Sequence, residues 1–161
     1  KVAFLPFGLM VDRYRWQLFD GTIPADQLNK GWNDLRLEYQ GIVPPVERDE
    51  SGFDAGAKYH IPGNVPYTRY FLARILQFQF FKAACDQAGW EGPLHRCSFY
   101  GNEEVGKNLA AMLEMGASKP WPDALEAFTG ERQMSGTAMV EYFAPLKAWL
   151  DEQNAGQTEG W

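Results

Sequence analysis

Pro66-Tyr67-Thr68-Arg69-Tyr70-Phe71-Leu72-Ala73-Arg74-Ile75-Leu76-Gln77-Phe78-Gln79-Phe80-Phe81 is the stretch whose reading decides the fold class. Proline is tolerated in the first turn of a helix, so Pro66 can open one. Gly89 stops it, and the predicted helix runs to about Gln87. Its apolar residues are Tyr70, Phe71, Leu72, Ile75, Leu76, Phe78, Phe80 and Phe81, which occupy nearly every face. A helix apolar all round is expected inside a larger body. A chain of 161 residues has little left to surround it, so a further part of the protein is expected to cover this helix.

Outward from it the reading stays helical, and the fold class is mainly α. On the N-terminal side, Leu9 to Phe19 reads as a helix stopped by Asp20-Gly21. A second helix follows Pro24 and carries Leu28, Trp32, Leu35 and Tyr39 on one face before Gly41 ends it. On the C-terminal side, Asn102 caps a helix from Glu103 to Met115, Ser118 precedes a short one through Phe128, and Ser135 caps the last. That last helix runs to about Gln153 and is expected to bend or break at Pro145. The tail from Asn154 to Trp161 is expected to fray. Residues 42–65 differ: Pro44, Pro45, Gly52, Gly56, Pro62 and Gly63 punctuate a long irregular loop, with a short strand expected at Ala57–Ile61. A connection of this length is often functional.

Composition excludes several classes. Fifteen Lys and Arg against twenty-one Asp and Glu give a net charge of −6, which lacks the basic field that nucleic acid binding requires. No apolar run reaches the roughly 20 residues that cross a bilayer. Six Trp, seven Tyr and eleven Phe suit a large core or a cleft that grips apolar side chains. The opening Lys1-Val2-Ala3-Phe4-Leu5-Pro6-Phe7 is already core-like, and a fragment of a longer protein is expected. Cys85 and Cys97 are either two buried thiols or one disulfide closing a short loop.

One group of residues can carry chemistry. Were Lys58-Tyr59-His60 extended, Lys58 and His60 would point to one side. Tyr67 and Tyr70, three apart, share a face of the long helix. An ammonium suits a carboxylate, and a phenol can hold a carboxylate or a developing oxyanion. The same side chains also fit a plainer reading, a solvated Lys58 beside two core tyrosines. Arg69 lies off the tyrosine face and, on an apolar helix, calls for an anion: a carboxylate or a bound ion. Trp32 and Arg36 form an i, i+4 pair, either a surface salt bridge with the Arg packed over the Trp or part of an anion site. No H-E-x-x-H, G-x-S-x-G, Walker or dinucleotide motif occurs, and His60 and His95 are the two histidines.

Several runs, in order, resemble the angiotensin-converting enzyme family. They are Phe4-Leu5-Pro6-Phe7-Gly8, Val11-Asp12-Arg13-Tyr14-Arg15-Trp16, Tyr39-Gln40-Gly41-Ile42-Val43-Pro44-Pro45, Phe53-Asp54-Ala55-Gly56-Ala57-Lys58-Tyr59-His60-Ile61-Pro62 and Val65-Pro66-Tyr67-Thr68-Arg69-Tyr70-Phe71. Gln77-Phe78-Gln79-Phe80, Gly92-Pro93-Leu94-His95 and Lys119-Pro120-Trp121-Pro122 extend the resemblance over essentially the whole chain. It implies the C-terminal helical half of a two-lobed, almost all-α zinc peptidyl-dipeptidase, which removes dipeptides from peptide C-termini. The whole of residues 1–161 would then be the C-terminal part of one catalytic domain. The zinc-binding helix would precede residue 1, leaving no metal ligand in this chain and no activity for it alone.

Carried over position by position, the resemblance implies that Lys58 and Tyr67 grip the substrate carboxylate and that His60 bonds the peptide near the scissile bond. Tyr70 is implied to stabilise the oxyanion, and Phe4 to wall the cleft. Arg69 is implied to bind one chloride, and Trp32 with Arg36 a second. Cys85 and Cys97 match a disulfide pair, which implies a secreted or periplasmic parent. Arg74 departs from the family pattern, where an aromatic lines the pocket, so altered side-chain preference near the substrate C-terminus is expected. Phe81 replaces a His with no catalytic consequence expected. The partners implied are a peptide substrate and the preceding part of the same enzyme. An alternative of another class is a non-catalytic helical module that binds peptide C-termini or a protein.

Overall fold

The computed structural model describes residues 2–158, so Lys1, Glu159, Gly160 and Trp161 lie outside it, including the end of the predicted tail. Its α-helices are α1 (Phe4–Phe19), α2 (Leu28–Gln40), α3 (Thr68–Gln87), α4 (Glu103–Glu114), α5 (Trp121–Thr129) and α6 (Thr137–Gln153). Two short 3-10 turns, Asp54–Ala57 and Leu94–Arg96, interrupt the loops. No strand occurs among the described residues. No helix is long and apolar enough to cross a membrane among those residues. Contacts divide the chain into two units, Lys1–Arg74 and Ile75–Trp161, with the division inside α3.

The first unit is built on α1 and α2. Met10, Val11, Tyr14, Trp32, Leu35, Ala55, Ile61 and Tyr67 form its buried core. Each of these replaces water contact with apolar contact, worth about 1.5–3 kcal/mol for a fully buried large side chain. The Tyr14 phenol donates to the Leu28 carbonyl at 3.2 Å, and burial pushes its pKa up to about 12. Ile23 packs so close to α2 that a Cβ on Gly31 would sit 2.7 Å from its side chain, so only glycine fits there. Gly41 takes φ 65°, a left-handed cap that returns its N–H to the last carbonyls of α2.

The long loop is not loose. Glu50 accepts from the N–H groups of Asn29 and Lys30 at 2.8 Å each, capping α2 from outside its own sequence. Asn29 is fully buried and bridges two loop positions: its amide donates to the Asp49 carbonyl, and its carbonyl oxygen accepts from the Asp54 N–H at 2.7 Å. These bonds fix residues 49–54 on α2 and so aim the segment that follows.

In the second unit, Ala84, Val105 and Phe128 form the buried core, with Phe80, Phe99, Leu109 and Met112 packed against it. Cys85 and Cys97 are disulfide-bonded, tying the end of α3 to the loop before α4. The Asn102 side chain accepts from the Val105 N–H at 3.1 Å and caps α4 as expected. Gly130 ends α5 at φ 75°.

Several expectations shift. Helix α1 begins at Phe4, taking Pro6 into its first turn, and α3 begins at Thr68. Pro24 does not open α2; its carbonyl accepts from Gln27 N–H in a turn before the helix. The strand expected at 57–61 is absent: the N–H groups of Gly56, Lys58 and Ile61 bond to carbonyls three residues back, forming consecutive turns. Ser118 precedes α5, which begins at Trp121, and its hydroxyl donates to the Met115 carbonyl. Gly136 occupies the cap of α6, with Ser135 accepting the Thr137 N–H just outside it. Helix α6 runs unbroken through Pro145. Within this chain α3 buries only Phe78, Gln79, Ala84 and Cys85, and leaves Tyr70 and Leu72 exposed.

Candidate functional site

The segment after the 3-10 turn folds back over the start of α3. Tyr67 is 5% exposed and stands at the centre of what gathers there. The Lys58 ammonium lies 4.8 Å from its ring centroid. The His60 ring packs edge-on at 4.8 Å, and the Tyr70 ring lies at 4.9 Å. Phe7 packs against Tyr67 at 5.7 Å and Phe4 at 6.1 Å. Lys58, His60, Tyr67, Tyr70 and Phe4 are thus one cluster. The turns, not strand alternation, bring Lys58 and His60 to the same ring.

The His60 Nε2 atom lies 3.3 Å from the Tyr70 hydroxyl, while Nδ1 is buried without a partner. Burial, then the nearby Lys58 and Arg15 charges, push the His60 pKa below its ordinary 6.5. A neutral imidazole at pH 7 follows, able to donate or accept but not to compete with Lys58 for an anion. Tyr70 is 41% exposed, so its hydroxyl can reach a group outside the chain.

Asp12 prepares this arrangement from α1. Its Oδ2 accepts from the N–H groups of Tyr67 at 2.8 Å and Thr68 at 2.7 Å, and from the Thr68 hydroxyl at 2.8 Å. Its other oxygen pairs with Arg15. Burial pushes the Asp12 carboxyl up, but the Thr68 N–H, Arg15 and the Tyr67 N–H together hold it below the usual value. A carboxylate at a helix N-terminus also meets the positive end of the dipole. Sequence reading missed Asp12 and Arg15. Their signal was an opposite-charge i, i+3 pair beside Met10, Val11 and Tyr14 on an apolar helix face.

The anion-site residues divide. Trp32 and Arg36 line a pocket of about 640 Å³ together with Ile42, Val46, Arg48 and Lys58. Arg48 pairs with Asp54 at its edge. The hydrogen bond from Arg48 and its charge, then that of Arg36, hold the Asp54 carboxyl below its usual range. Arg36 Nε is buried with no hydrogen-bond partner. Arg69 is exposed rather than buried, so it carries no desolvation cost that an anion must offset. Arg74 places its guanidinium 5.1 Å from the Phe4 ring centroid, beside the cluster.

Among the described residues, no three His, Cys, Asp or Glu side chains gather where they could hold a metal ion. The donor set of the cluster is an ammonium, an imidazole and two phenols, which suits an organic anion instead.

Comparison with known proteins gives a consistent picture. A family model described as angiotensin-converting enzyme, of the M2 peptidases, matches residues 1–161. Angiotensin-converting enzymes from Mesocricetus auratus and Mus musculus are each 50% identical over 163 residues, covering 100% of this chain and 12% of those proteins. The angiotensin-converting enzyme of Haematobia irritans exigua is 52% identical over 157 residues, covering 94% of this chain and 26% of that protein.

Proposed function

The chain belongs to the angiotensin-converting enzyme family of M2 peptidases, and from that premise we propose that it is the C-terminal segment of a zinc-dependent peptidyl-dipeptidase. In this reading it supplies the clamp for the substrate carboxylate and the stabiliser of the oxyanion. The observation that carries it is the convergence of Lys58, His60 and Tyr70 on the Tyr67 ring, each within 5 Å. A peptide carboxylate set against Lys58 gains a charge-assisted hydrogen bond, with the Tyr67 phenol as second donor. That contact fixes the chain end, and so the bond that is cut lies at a constant distance from it. The one N–H of a neutral His60, at Nε2, donates to the Tyr70 oxygen, and the exposed Tyr70 hydroxyl donates to the carbonyl oxygen as charge develops there.

Zinc belongs to the proposal only as a property of the complete enzyme. The described residues of this chain do not fit it, and no step above passes through it. Chloride is a different case. The buried Arg36 Nε, the Trp32 indole and the surrounding pocket fit a small anion, and we assign that site to chloride. For Arg69, which is exposed, a second chloride is what the family resemblance alone implies. The Cys85–Cys97 bond supports a secreted or periplasmic parent, since such bonds persist in oxidising compartments.

The test is the complete protein incubated with an N-blocked tetrapeptide and followed by mass spectrometry. Release of the C-terminal dipeptide, abolished by a chelator and by amidation of the C-terminus, is expected. Binding of the free-acid peptide with no cleavage would favour the non-catalytic module instead.

A further inference from the structure

Arg15 does more than pair with Asp12. It is 5% exposed, on α1, and its guanidinium reaches three acceptors. Nη1 donates to the His60 carbonyl at 2.8 Å, and Nη2 donates to the Val65 carbonyl at 2.7 Å and to Asp12. The His60 carbonyl also accepts from the Val65 N–H at 3.0 Å. Residues 60–65 therefore form a closed loop whose neck is gripped by one side chain from another element. Through Asp12 the same side chain reaches the N-terminus of α3, where Tyr67 and Thr68 donate.

Stability alone does not explain this choice. A buried ion pair is often no better for stability than apolar residues of similar volume. The fork geometry of Arg suits the task, because Nη1 and Nη2 stand apart in one rigid plane and reach two carbonyls and a carboxylate, whereas a lysine ammonium is a single compact point charge. Within this segment the chain passes Pro62-Gly63-Asn64, with Asn64 at φ 49°, a left-handed turn that asparagine accommodates.

We infer that Arg15 is a positioning residue, which sets His60 against Tyr67 and Tyr70 by gripping the backbone on both sides of the 60–65 loop and the start of α3. The inference rests on the reading of those three side chains as substrate-facing. Arg15 touches no reacting group itself.

The test uses the 161-residue chain and its two histidines. Proton NMR of the imidazole Cε1–H groups gives one signal for His60 and one for His95, which packs near Tyr142 in the second unit and serves as the control. The probe is acetyl-Ala-Ala-Phe with a free carboxylate. In Arg15→Lys, helical by circular dichroism, the His60 signal should move, the His95 signal should stay, and Kd for the probe should rise about tenfold. A folded Arg15→Lys with the His60 signal and Kd unchanged would overturn the inference. Should Arg15→Lys not fold, Asp12→Asn combined with Arg15→Met removes both charges and keeps an acceptor at the α3 N-terminus, and the same readouts decide. A wild-type chain that does not bind the probe would overturn the clamp reading, while the His60 signal would still decide the role of Arg15.

Discussion

His60 and Tyr70 meet through Nε2 and the phenolic oxygen at 3.3 Å, although one lies in a turn and the other in the first turns of α3. The contact joins two groups with different exposure: His60 keeps Nδ1 buried, while Tyr70 is open to the outside. The imidazole thereby orients a hydroxyl whose other side is available. That is the arrangement a donor to a developing oxyanion needs, because the donor is placed before charge appears.

Replacing Tyr70 by Phe removes that donor and little else. In the complete enzyme Tyr70→Phe should lower kcat by about 10²–10³, the usual effect of losing one such donor, with little change in KM. Steady-state kinetics on a dipeptide-releasing substrate checks this. An unchanged kcat would remove Tyr70 from the oxyanion role.

The depressed pKa of His60 has a direct consequence. Its imidazole should titrate with a midpoint below 6.5, because burial and the Lys58 and Arg15 charges disfavour the imidazolium. Lys58→Met removes one of those charges, so the midpoint should rise in that variant. The NMR titration of the His60 Cε1–H signal measures both. A midpoint at or above 6.5 in the wild type would contradict the burial of the imidazole, and an unchanged midpoint in Lys58→Met would contradict the influence of the Lys58 charge on it.

Asp12 makes an acid-side prediction. Its folded pKa lies below the ordinary 3.8, so its contribution to stability is complete above that value. The contribution is lost as pH falls further, through the depressed folded pKa. Asp12→Ala leaves the buried Arg15 without its partner and should cost about 3–5 kcal/mol at neutral pH. Its stability should also depend less on pH below 4 than that of the wild type. Urea melts followed by circular dichroism at a series of pH values test both statements.

Arg74 makes a prediction about substrate. Its guanidinium sits 5.1 Å from the Phe4 ring, and Phe4 contacts Tyr67. A cation one ring away from the clamp should favour an acidic side chain on the C-terminal residue. Peptides ending in Glu should gain in kcat/KM relative to the same peptides ending in Leu, and Arg74→Phe should reduce that ratio about tenfold. An unaltered ratio in Arg74→Phe would show that the guanidinium does not face the substrate side chain.

Much of the helix pattern was legible because it rests on local signals: the spacing of Leu28, Trp32, Leu35 and Tyr39, the Asn102 cap, and the glycines at 41 and 130. The boundaries missed at Phe4 and Leu28 have a different cause. Proline at position 6 is accepted within a first turn, while Pro24 spends its carbonyl on a turn. The loop was legible as irregular but not in its detail, since its shape depends on Asn29 and Glu50 reaching across about twenty residues. The site followed the same division. Lys58, His60, Tyr67 and Tyr70 stood out by residue type, but the strand alternation expected to align Lys58 with His60 is replaced by turns. Asp12 and Arg15 did not, because a charged pair on a helix is usually solvated, and only tertiary burial turned this one inward.

In the proposed function Lys58 and Tyr67 hold a peptide carboxylate. The most direct measurement of that hold is titration calorimetry of this chain with acetyl-Ala-Ala-Phe and with the same peptide amidated at its C-terminus, repeated for Lys58→Met. The free acid should bind at least tenfold more tightly than the amide, and Lys58→Met should abolish the difference. Equal affinity for acid and amide in the wild-type chain would contradict the proposed hold.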